Sequence, residues 1–108
     1  MLEKIKKVAN YYDYDFDKRS RHVTDECIEL IQIINRYRRY REALKTRDEI
    51  LLSKEENNLI IHDIVKKIAD VEIMLEEMKH LLNISPAAVE EIKLNKVTEQ
   101  LEEIEKEK

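Results

Sequence analysis

The 108 residues contain no glycine, and Pro86 is the only proline. Tight hairpins and close sheet turns depend on those two residues and on Asn-Gly pairs. A chain without them is confined to long helices joined by few turns. Charged residues make up 41% of the chain and apolar residues 43%, a balance that suits amphipathic helices and is too apolar for disorder. The expectation is an all-α, antiparallel bundle of about four helices, in a single domain over residues 1–108. Three or four helices of this length bury a modest core and leave apolar stripes uncovered, which points to a homo-oligomer.

Other features narrow the setting. A net charge of −4 argues against wrapping nucleic acid with the whole surface, although a local basic patch remains open. Cys27 is the lone cysteine, so no intrachain disulfide can form and a reducing compartment fits best. No apolar run is long enough for a membrane span, and Met1–Asn10 alternates lysine with apolar residues, unlike a signal peptide. A cytoplasmic location is the expectation.

Leu2, Ile5, Val8 and Ala9 give a short amphipathic helix over 2–11. The stretch Tyr11-Tyr12-Asp13-Tyr14-Asp15-Phe16-Asp17 breaks it. Its aspartates offer N-cap oxygens for a second helix starting between Asp15 and Ser20. Its aromatic rings could cover a base or plug the end of the bundle. In the second helix Val23, Cys27, Leu30, Ile31 and Ile34 form the expected buried stripe, with His22, Glu26, Glu29 and Ile33 beside it. Arg36-Tyr37-Arg38-Arg39-Tyr40-Arg41 then either attracts phosphate or single strands, or is a solvated helix end whose cations meet the negative end of the dipole.

The patterns Thr46-x-x-Glu49 and Ser53-x-x-Glu56 are capping boxes, predicting a short connecting helix and a long third helix after Ser53. Ile61, Ile64, Ile68, Val71, Leu75, Met78 and Leu82 recur at spacings of three and four, a heptad-like seam for an antiparallel bundle or a dimer. Ser85 as N-cap and Pro86 at the first position start the last helix. It carries a weaker stripe of Val89, Ile92, Val97, Leu101 and Ile104, and residues 102–108 are expected to fray.

Glu26 and Glu29 stand three apart on one helical face beside apolar residues, a placement that costs desolvation unless a cation sits there. Asp70, beside the third-helix seam, can face them if the two helices are neighbours. Three converging carboxylates make a hard-oxygen site suited to Mg²⁺ or Mn²⁺. On spacing alone, pairing with the many Lys and Arg side chains explains these acids equally well. Cys27 reads as a small buried side chain, and His22, His62 and His80 have no zinc-like spacing.

Two phrases add to this. Asp25-Glu26-Cys27-Ile28-Glu29-Leu30-Ile31-Gln32 and Ala69-Asp70-Val71-Glu72-Ile73-Met74-Leu75-Glu76 resemble the MazG-like nucleotide pyrophosphohydrolases, within the all-α NTP pyrophosphatases. The resemblance runs from near Tyr12 through Leu82 and more loosely into the last helix. It implies a Mg²⁺-dependent, oligomeric enzyme, commonly a dimer or tetramer, that splits nucleoside triphosphates into monophosphate and pyrophosphate. The family motif pairs E-x-x-E with E-x-x-D, which places Glu26, Glu29 and Asp70 as metal ligands and catalytic residues. Lys93 and Lys96 resemble its phosphate-contacting basic positions. Two positions depart: Lys67 stands where the family has glutamate, and Glu99-Gln100 stands one turn after Lys96, where relatives often have arginine.

A lysine at position 67 weakens a metal site. It could neutralise Glu29 or Asp70 instead, or contact a phosphate itself. Asp63, about two turns before Asp70, could supply a substitute carboxylate. The readings are therefore a metal-dependent nucleotide pyrophosphohydrolase, or a MazG-like bundle without turnover that binds a nucleotide or serves assembly. Outside the family, the alternative is a helical oligomerisation domain with solvated acids.

Overall fold

The computed structural model describes residues 1–12, 16–46 and 53–108. These form four helices with no strand among them: α1 (Leu2–Tyr12), α2 (Phe16–Thr46), α3 (Ser53–Leu81) and α4 (Pro86–Glu107). The second helix thus starts inside the expected window, at Phe16. The expected short helix after Thr46 falls mostly on 47–52, outside the described residues. No described helix is long and apolar enough to cross a membrane.

A chain without glycine still needs a left-handed residue to end a helix. Asn83 takes that place, with φ 54°, because asparagine tolerates this region better than other side chains. The Ile84 amide donates to the Lys79 carbonyl at 2.8 Å and the Asn83 amide to that of His80 at 3.2 Å, closing the end of α3. Two residues on, the Ser85 hydroxyl accepts from the Ala88 amide and Pro86 occupies the first turn, as its sequence predicts.

α2 and α3 pack antiparallel along most of their length. From the Arg19–Glu77 pair to the Tyr37–Asn57 hydrogen bond, α2 advances 18 residues while α3 retreats 20. The facing line on α2 is Val23, Glu26, Leu30, Ile33, Tyr37 and Tyr40, and on α3 it is Ile60, Ile64, Lys67, Val71, Met74 and Met78. Both lines step by alternating threes and fours, the knobs-into-holes spacing. The expected seam lay one residue to the side of this. Ile64, Val71 and Met78 do face α2, but Ile61, Ile68, Leu75 and Leu82 stay 39–48% exposed, and on α2 Ile31 and Ile34 are exposed too. The physical reason is width: each helix carries more apolar surface than one neighbour can cover.

α1 packs on α3, burying Ala9 and holding the His80 Nε2 against the Asn10 Oδ1 at 2.7 Å. The ring plug expected near the start of α2 does not form from Tyr11 and Phe16, which are exposed; Tyr14 lies outside the described residues. α4 packs along none of the other helices and has no buried residue. Residues 102–108, expected to fray, are helical as far as Glu107 and exposed throughout. The radius of gyration is 18.6 Å, against about 13 Å for a compact domain of this length. Among the described apolar residues only Ala9 and Ile60 are buried.

Candidate carboxylate–lysine site

Midway along the α2/α3 seam the apolar packing is interrupted. Glu26 and Lys67 are both facing-line residues, so the register that joins Arg19 to Glu77 and Tyr37 to Asn57 also brings the Glu26 carboxylate to the Lys67 ammonium. The Lys67 Nζ donates to Glu26 Oε2 at 3.1 Å and to Glu29 Oε2, and lies 3.4 Å from Asp70 Oδ2. Glu29 and Asp70 each precede a facing residue by one position, Leu30 and Val71. That places them on the same flank of the antiparallel pair, on either side of the lysine.

The three carboxylates picked out as metal ligands therefore do converge, and what they converge on is an ammonium ion. The Lys67 side chain is 17% exposed, Glu26 21%, Glu29 49% and Asp70 48%, so the cluster opens to solvent along one side. Hydrogen bonds to Glu29 and then Glu26 hold the Lys67 ammonium well above the usual lysine range. It is charged at every physiological pH. Three acids and one cation leave a formal surplus of two negative charges at the site.

This arrangement does not fit a resident divalent ion. Mg²⁺ needs oxygen ligands around a near-ideal octahedron, whereas here the focus of the carboxylates is taken by a fixed positive charge on the chain itself. Among the described residues no three His, Cys, Asp or Glu side chains are grouped so that they could hold a metal ion.

The remaining candidates stand elsewhere. Asp63 pairs with Arg36 at 3.6 Å, on the same flank but apart from Lys67, and is no substitute ligand. Lys93 and Lys96 are on α4, which packs along neither α2 nor α3; Lys93 pairs with Glu90 of its own helix at 3.1 Å. His22 is exposed, and Cys27 is half-buried with a free thiol.

The arginine–tyrosine stretch divides between two sides. Tyr37 and Tyr40 turn to the seam, their rings stacked with centroids 6.3 Å apart, and the Tyr37 hydroxyl donates to Asn57 Oδ1 at 2.9 Å. Burial, with the Glu56 carboxylate adding to it, pushes the Tyr40 hydroxyl up from its ordinary value. Arg38 and Arg41 point outward. The rings thus serve packing, and only the guanidinium groups remain at the surface.

A second polar crossing of the seam gave no signal in the sequence. Arg19 and Glu77 pair side chain to side chain, 9% and 3% exposed, where α2 begins and α3 ends. Neither belongs to a motif. Only Arg19 continues a facing line, four residues before Val23; Glu77 stands one residue off the α3 line, before Met78, seven residues after Asp70.

Comparison with known proteins adds no relative: no family model, no curated protein and no solved structure matches the chain.

Proposed function

We propose that this protein is a MazG-like helical module in which Lys67 has replaced the divalent ion, so that it binds a nucleotide or serves assembly without turning substrate over. The observation that carries this is the Lys67 ammonium between Glu26, Glu29 and Asp70. A tethered cation offsets part of the carboxylates' charge, but it offers no open coordination position to polarise a phosphate or a water. The module works as a homo-oligomer, dimer or tetramer, in the reducing cytoplasm that suits its lone thiol. The large uncovered apolar surface supports the first point.

A second reading is favoured by the convergence of the three carboxylates. It is Mg²⁺- or Mn²⁺-dependent hydrolysis of nucleoside triphosphates to monophosphate and pyrophosphate, and it requires a divalent ion to displace Lys67.

One assay separates the two. The protein is incubated with a panel of NTPs and dNTPs plus Mg²⁺ or Mn²⁺, and pyrophosphate is measured alongside nucleotide binding by calorimetry. The expected result is no pyrophosphate from the natural protein, and its release by the Lys67→Glu variant, which restores the fourth carboxylate. Pyrophosphate from the natural protein would establish the enzyme and overturn the proposal.

A further inference from the structure

Two apolar surfaces of this chain are uncovered, and they match. On α2 the line Cys27, Ile31, Ile34, Arg38, Arg41, Lys45 steps by fours and threes along the flank opposite Glu29 and Asp70. Its first half is apolar, with Ile31 56% exposed, and its second half is basic. Ile61, Val65 and Ile68 of α3, all exposed, follow the same side of the antiparallel pair and widen it into a trough.

On α4 the line Leu94, Val97, Leu101, Ile104 has the same spacing and is 50–66% exposed. Its last two turns are acidic on balance, with Glu102, Glu103, Glu105 and Glu107 against Lys106 and Lys108. Arg38 and Arg41 make no salt bridge with a described residue, and Glu105 has only Lys108, at 3.9 Å.

The spacing is shared as well. Eleven residues separate Cys27 from Arg38, and eleven separate Leu94 from Glu105, about 16 Å of helix in each case. A helix laid parallel to α2 with Leu94 beside Cys27 therefore sets Leu101 beside Ile34 and Glu105 beside Arg38. The area agrees: the chain exposes 9143 Å² at 13.0 kDa, whereas a folded monomer of that mass exposes about 6,300 Å². The excess is larger than the roughly 800 Å² per partner that a standard interface needs.

We infer that α4 of each chain packs into the α2/α3 trough of a second copy, parallel to α2, with Glu105 beside Arg38. Reciprocal exchange closes a two-fold dimer in which both apolar stripes are covered. This rests on the homo-oligomeric part of the proposed function and is independent of any ligand at Lys67.

The test is charge reversal and rescue, read as the dimer dissociation constant by analytical ultracentrifugation, with circular dichroism confirming helicity. Arg38→Glu is expected to weaken the dimer about fivefold or more, as is Glu105→Arg. The chain carrying both changes is expected to recover most of the loss. A double variant no tighter than its parents overturns the proposal.

Register is tested in a Cys27→Ala background, where Arg38→Cys with Glu105→Cys is expected to form a covalent dimer on oxidation. Crosslinking through Glu105→Cys alone, which marks α4 against α4, overturns it. So does a disulfide closed within one chain. A natural protein that sediments as a monomer removes the oligomeric reading as a whole, whereas a stable dimer that ignores all these changes removes only this packing.

Discussion

Charge crosses the α2/α3 seam in two places, and the two crossings are built for different ends. Arg19 and Glu77 form one cation with one anion, both buried, at the end of the hairpin. Lys67 gathers three carboxylates, and the group opens to solvent midway along. The first is balanced and closed to water, so its desolvation cost can be met only by the partner it already has. The second carries more negative charge than its cation neutralises and holds it where solutes can reach. The first is therefore a closed pair, and the second an open cluster with a formal excess of negative charge.

The largest effect should therefore come from the clasp. Arg19→Ala or Glu77→Ala leaves a buried charge without its counterion and is expected to destabilise the fold by about 3–5 kcal/mol. Urea unfolding followed by circular dichroism measures it, and the Arg19→Met, Glu77→Leu double variant should recover much of that loss. A single variant as stable as the natural protein would show that Arg19 and Glu77 are not the buried pair described here, and the contrast between the crossings would collapse.

At Lys67 the distinguishing response is to pH. Its folded-state pKa is raised above the usual lysine value of 10.5. The ammonium's contribution to stability is therefore fully present below pH 10.5, where both folded and unfolded chains carry the proton. It is lost as pH rises from there through the folded value. The stability difference between the natural protein and Lys67→Met should stay flat from pH 7 to about 10 and shrink above that. A difference that changes between pH 6 and 9 would mean that another group governs the site.

Much of this was legible in the residues. The absence of glycine and the Ser85-Pro86 cap foretold long helices and the start of α4; the E-x-x-E spacing, with Asp70 beside the third-helix seam, marked three acids that do meet, though on Lys67. The seam was legible only to within one residue. Apolar side chains at 60, 61, 64, 65 and 68 fill two adjacent lines of α3, and periodicity does not say which line meets a neighbour in the same chain. Two of the true facing residues, Glu26 and Lys67, are charged, which disguised that line further. The isolation of α4 was hidden for a related reason: an amphipathic stripe does not say which surface, of this chain or another, it meets.

The smallest expected effect sharpens what the lysine cluster is. Arg36 and Asp63 occupy the same flank as Glu29 and Asp70, about one turn from Lys67, at 3.6 Å with both side chains about half exposed. Such a pair gains little Coulomb energy in water and must order two side chains to do so, so Arg36→Ala should change stability by no more than about 0.5 kcal/mol, and less at high salt. The same flank then holds an ordinary surface pair, about half exposed, and a largely covered cation bound by three acids. If Arg36→Ala and Lys67→Met respond alike to added salt, the cluster is only a crowded surface pair. If only the Lys67 site keeps its contribution at 1 M salt, where screening extends over about 3 Å, then the three carboxylates act together on one cation, as a binding site does.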